Sequence, residues 1–183
     1  MPLQGKLKPS SLMAYISVMT ALASVIGYLE LLLPVNLFGI PGVKPGFANI
    51  VSLIALYLFG PLYAYLITVV RVLLLGILFG NMYSIVYSLA GGVLSVTVML
   101  MLKRTGLFGM AGVSAAGGAF HNTGQLIVAV ISLDSMNLIY YIPVLVISGT
   151  LFGCITGIVA GIVYDRVGKS LKDQALLPSG EEK

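Results

Sequence analysis

What the sequence has least of is charge. Asp, Glu, Lys and Arg make up 9% of 183 residues against 58% hydrophobic, and there is one histidine and one cysteine. A soluble domain of this size could not hide so much apolar side chain, because a large part of any folded surface meets water. The lone Cys154 excludes a disulfide framework and a cysteine metal site; it lies in a glycine-rich apolar segment, where packing is its expected role. The lone His121 leaves no second imidazole for a metal, and the acids are scattered along the chain, so neither a metal nor a cofactor is expected.

What is present is a series of long apolar runs between breakers. They predict an all-α integral membrane protein with spans near 11–33, 46–59, 63–80, 83–102, 110–132 and 140–164. The first run is too long for a signal-peptide core and is expected to stay as a helix. The second is the shortest: about 14 residues make about 21 Å of helix against a hydrocarbon core of about 30 Å. It must start in the interface or be buried by its neighbours. "LPVNLFGIPGVKPG" (Leu33 to Gly46), "FGP" (ending at Pro61), "LKRTGLFG" and "SLDSMN" read as turns. The chain thus divides into an N-terminus over 1–10, one membrane domain over 11–164, and a tail over 165–183 whose polar stretch "SLKDQALLPSGEEK" (170–183) is expected to fray.

Lys6 and Lys8, then Lys103 and Arg104, then Arg166, Lys169 and Lys172 all fall on one side of six spans. The positive-inside rule makes that side, with both termini, the cytoplasm of a multi-pass cell-membrane protein. The net charge of +4 therefore reflects topology and not a nucleic-acid partner. Lys44 lies on the other side, where topology does not require it.

Polar groups inside a span cost about 2.5–3.5 kcal/mol on insertion scales, so those present are candidates for function. Arg71 sits at the centre of "YAYLITVVRVLLLGILFG", too deep to snorkel easily; its guanidinium fork matches a carboxylate or phosphate. The bland alternative ties it to carbonyls or to Glu30. In "GAFHNTGQ", His121, Asn122 and Gln125 stand three and four residues apart and share one side of a helix. Any one could be interhelical glue, but three beside an intramembrane arginine suggest a ligand cavity. Pro45 suits the first turn of the second helix, which would place Asn49 one turn in and Lys44 just outside a positive helix end, a funnel for anions. Asn81 reads as a cap for the fourth span.

Small residues form a second pattern. Ala14, Ser17, Ala21 and Ser24 recur along the first span, and Gly149, Gly153, Gly157 and Gly161 share a face of the last. Such faces allow close helix approach, inside the bundle or against an external helix.

"PGVKPGFANIVSLIALYLFG", "RVLLLGILFGN" followed by "YSLAGGVLS", and "GAFHNTGQLIVA" together resemble the Gx transporter family, also described as heptaprenyl diphosphate synthase component I, over roughly Leu12 to Tyr164. That family is similar to the substrate-binding S components of energy-coupling factor (ECF) importers, six-helix proteins that hold a small solute near the outer face. The resemblance implies a transmembrane T component and two ATPase subunits as partners, with Ala14, Ser17 and Ala21 as the contact, in a looser form than alanines four apart. The synthase name meets a difficulty in the residues. Prenyl elongation needs clustered aspartates for magnesium and diphosphate, whereas Asp134, Asp165 and Asp173 are isolated; a Walker A sequence is also absent. The chain is expected not to be an enzyme, and the label points to a genetic neighbour and so to an isoprenoid or quinone-related solute.

The expectation is an importer subunit that binds a small anionic solute through Lys44, Asn49, Arg71, His121, Asn122 and Gln125. The rivals are a non-catalytic membrane accessory of an isoprenoid or electron-transfer system and a stand-alone secondary carrier. The carrier would need a coupling acid, for which only Glu30 is placed.

Overall fold

The computed structural model describes residues 8–32 and 46–176, with side chains as far as residue 170. Every regular element in these residues is helical: α1 Pro9–Leu32, α2 Asn49–Leu58, α3 Pro61–Phe79, α4 Met82–Thr105, α5 Met110–Leu133 and α6 Ile142–Leu176, with a short 3-10 helix at Met136–Tyr141 ahead of α6. Local chemistry sets several boundaries. Gly60 at φ 102° turns the chain, and Pro61 then opens α3 at a position where its missing N–H costs nothing. Pro61 thus begins a helix, where the sequence suggested the end of a turn. Asn81 caps α4 as expected, its Oδ1 accepting Ser84 N–H at 2.8 Å. Gly106 closes α4 in the left-handed conformation that an L side chain would resist.

Two expectations are corrected. Helix α2 begins at Asn49, because the Asn49 and Ile50 N–H groups are taken by the carbonyls of Gly46 and Phe47 in a preceding turn. Asn49 therefore starts the helix and does not lie one turn in; Pro45 and Lys44 are outside the described residues. At the other end α6 runs 35 residues, so 170–176 is helix where fraying was expected. Lys, Leu, Gln and Ala in "GKSLKDQAL" are good helix formers, and no proline intervenes before Pro178.

Neighbouring helices run antiparallel. Ser52 meets Thr68 at 2.7 Å and Tyr65 meets Thr97 at 2.7 Å, while Gly124 faces Ala90, Gly117 faces Met99, Gly149 faces Gly118 and Gly157 faces Ala111. Helix α1 runs alongside α3, with Tyr15 near Phe59 at one end and Tyr28 against Phe79 at the other. Helix α2 spans only about 15 Å at 1.5 Å per residue, and seven of its ten residues are buried. The alternative of burial by neighbours is the one realised. Its Leu53 and Leu56 share the core with Ile67, Val96, Met99, Val113 and Ala160.

This arrangement puts Lys8, Lys103, Arg104, Arg166 and Lys169 at one end of the bundle. Among the described residues no Lys or Arg lies at the other end. Four helical segments, Pro9–Leu32, Pro61–Phe79, Met82–Thr105 and Met136–Ser170, are long and apolar enough to cross a membrane. Helix α5 matches α4 in length, and His121, Asn122, Thr123 and Gln125 interrupt its apolar run. The outward faces carry Met13, Val18, Ile77, Leu78, Ile131 and Leu151, all more than half exposed. Such a surface belongs in lipid, and the protein is a membrane protein.

Lys103 ties the basic end together. Its Nζ donates to the Leu56 carbonyl at 2.7 Å, one of the carbonyls that α2 leaves open at its C-terminus, and lies 4.5 Å from the centre of the Tyr57 ring. Lys103→Met keeps the stem and removes both contacts. A loss of about 1–2 kcal/mol is expected, to be read from thermal unfolding in detergent by circular dichroism; an unchanged midpoint would discount this tie.

Candidate functional site

Arg71 is carried by the middle of α3, where the helix turns its guanidinium inward; only 6% of the residue is exposed. It faces a cavity of about 100 Å³ that runs from mid-bundle toward the end remote from the basic residues. Gly27 and Glu30 of α1, Asn49, Arg71 and Gly76 of α3 with Gly80 just after it, Ser84 and Ser88 of α4, and His121 and Gln125 of α5 line it. A second, smaller chamber of about 10 Å³ adjoins it and is bounded by Asn49, Ser95, Ser114, Gly118, His121, Asn122 and Thr156. Gly46, Asn49 and His121 border both, so they form the partition.

The hydrogen bonds separate scaffold from site. Arg71 Nη2 reaches Asn49 Oδ1 only at 3.4 Å, and its buried Nε has no hydrogen-bond partner among the described residues. The guanidinium carries five donors, so most of its capacity is open to a ligand. Glu30 accepts the Phe47 N–H, which fastens the start of α2 to the end of α1. Phe47 also packs edge-on against Phe152 of α6, at 6.0 Å between centroids. Asn122 spends one amide donor on the Leu145 carbonyl at 2.8 Å, an α5–α6 tie of the kind that joins membrane helices.

Close helix approach brings these groups together. An added Cβ at Gly91 would lie 2.7 Å from Gln125 Cγ and from the His121 carbonyl, so α4 can seat α5 only as glycine there. The glycines of α6 face α5 in the same way: Gly149, Gly153 and Gly157 lie against Gly118, Ala115 and Ala111. Their face is internal, which removes it as a surface for an external helix. Ala14, Ser17 and Ala21 are exposed on α1, beside an apolar groove of about 220 Å³ lined by Tyr15, Val18, Met19 and Leu22 together with α2 and α6.

Of the residues singled out in the sequence, Asn49, Arg71, His121 and Gln125 meet in the larger cavity, and Asn122 joins Asn49 and His121 in the smaller. Lys44 lies outside the described residues. Sequence reasoning missed Ser84, Ser88 and Ser95, although a signal existed: they stand four and seven residues apart, which is one face of α4. Among the described residues no group of His, Cys, Asp and Glu could hold a metal ion.

A family model for heptaprenyl diphosphate synthase component I matches residues 19–163. The chain belongs to the heptaprenyl diphosphate synthase component I family. The matched region holds every residue that borders the two cavities, and the words "component I" imply a partner subunit. No curated protein and no solved structure matches the chain.

Proposed function

We propose that this family member is the substrate-binding subunit of an ECF-type importer for a small anionic solute and is not itself an enzyme. The observation that carries this reading is Arg71, buried and incompletely hydrogen-bonded in a polar cavity that extends toward the end of the bundle without basic residues. By the positive-inside rule that end faces out of the cell, and both termini lie in the cytoplasm. Six helices then cross the cell membrane; α2 is buffered from lipid by its neighbours, which satisfy what a lipid-exposed short helix could not. Arg71 holds the anionic group with Asn49 beside it, and His121, Asn122 and Gln125 read hydroxyl or carbonyl groups. The exposed Ala14, Ser17 and Ala21 beside the apolar groove suit contact with a T component, which two ATPase subunits would drive.

The family description favours a second reading, a non-catalytic membrane accessory of an isoprenoid or quinone system. Purification of the full chain from its own membranes in mild detergent, with mass spectrometry of retained small molecules and subunits, separates the two. A retained organic anion together with ATPase subunits supports the importer. A retained prenyl-transferring enzyme with no small molecule supports the accessory.

A further inference from the structure

The smaller chamber is built on the inner side of the Asn49–His121 partition, and its walls have a chemical bias. Thr156 donates its hydroxyl proton to the Gly153 carbonyl at 3.0 Å, so in its 3.1 Å contact with Ser114 the serine must be the donor. Both hydroxyls have therefore used their protons and keep lone pairs. Asn122 has one amide donor committed to the Leu145 carbonyl. Ser95 differs: it is 1% exposed, borders the chamber, and its Oγ has no hydrogen-bond partner among the described residues. An unsatisfied buried hydroxyl is costly, and native structures rarely keep one without a use. At about 10 Å³ the chamber has room for about one water-sized group.

Resting on the anion-binding reading of Arg71, we propose that the chamber is a second subsite that takes a hydroxyl or amino group at the other end of the solute, with Ser95 as its selector. The substrate class is then a compact anion with a hydrogen-bond donor at its far end. A donor satisfies the lone pairs of Ser114 and Thr156, and a hydroxyl or amine also meets Ser95. A keto group can accept the Ser95 proton but leaves the lone pairs of Ser114 and Thr156 facing another acceptor, and a methyl group strands Ser95 without a partner. An isoprenoid chain would do the same, which sets the solute apart from the isoprenoid suggested by the family name.

The test uses the purified full-length chain in lipid nanodiscs. Its thermal unfolding is followed while short carboxylates are titrated in matched sets of equal length, bearing hydroxyl, amino, keto or no substituent, with dimethylallyl diphosphate as the isoprenoid arm. Ligands that bind the native state raise its stability in proportion to affinity. The hydroxy and amino acids are expected to bind about tenfold more tightly than their keto and unsubstituted counterparts, the worth of about one neutral hydrogen bond. Ser95→Ala should cut that preference severalfold, while the unsubstituted acid, which strands the Ser95 hydroxyl in the wild type, should bind at least as tightly as before. Ser114→Ala, which empties a different wall of the chamber, should reduce the preference too. A preference undiminished in Ser95→Ala overturns the subsite, as does stabilisation by dimethylallyl diphosphate alone. If no anion stabilises the wild type and Arg71→Ala behaves identically, the anion site itself fails and the subsite falls with it.

Discussion

Arg71→Ala is expected to strip the protein of its small-molecule ligand and leave the helical bundle folded. The guanidinium enters the cavity nearly desolvated, with its Nε lacking a hydrogen-bond partner and one long contact to Asn49. Charge-assisted hydrogen bonds are worth about 1.5–3 kcal/mol each, so loss of a forked contact should weaken binding by about 100-fold or more. Fold should survive because alanine favours the helix, and because Glu30, the nearby acid on the cavity wall, is only half-buried and keeps the Phe47 N–H as donor. The measurement is the amount of small molecule retained per mole of purified protein, by mass spectrometry, beside a circular-dichroism melt. Arg71→Lys refines it: the charge stays and the fork is lost, so an intermediate affinity is expected. Wild-type retention by Arg71→Ala would refute the anion site and strengthen the accessory reading, whose partner binding should be indifferent to both Arg71→Ala and His121→Ala.

The parts of this site that were legible in the sequence are those whose cost is intrinsic to the residue. An arginine in the middle of "ITVVRVLLL" is expensive wherever the helix sits, and His121, Asn122 and Gln125 share a helix face whatever packs against it. Apolar runs and turn residues likewise placed all six helices, since in lipid each backbone polar group has to be satisfied within its own segment. Less legible were features defined by a neighbour. Ser95 is chemically unremarkable on α4 until Gly117 brings α5 against it, and Asn122 divides its roles only because the Leu145 carbonyl lies in reach. The register of α2 depended on the turn at 46–48, whose Gly46 and Phe47 carbonyls take the N–H groups of Asn49 and Ile50. The glycine stripe of α6 was visible as a stripe, but its direction depended on the complementary Ala111, Ala115 and Gly118 of α5.

That complementarity makes Gly149→Ala strongly disruptive for so small a change. A Cβ at Gly149 would lie 2.5 Å from the Gly118 carbonyl oxygen, 2.8 Å from its carbon and 2.9 Å from Asn122 Nδ2. Two of the three are backbone atoms of a helix, so no rotamer change relieves the clash and α5 must separate from α6. Overpacking of this kind costs about 3 kcal/mol where the neighbours cannot give. The same separation stretches the Asn122 bond to Leu145 and the Ser114–Thr156 pair, so both chambers lose their shape and ligand retention falls with stability. Gly161→Ala is the matched control about three turns along α6 from the clash: it shares the stripe, but its added Cβ would meet only Met110 Sδ, at 3.9 Å. There the gain of about 1 kcal/mol from replacing glycine within a helix is unopposed, and the melting temperature should hold or rise. Opposite signs for these two substitutions, read from melts of the purified variants, are what a backbone-to-backbone contact requires. Equal and small effects at both positions would mean that α5 and α6 are not held together by this glycine seam, and the cavities that depend on their spacing would have to be redrawn.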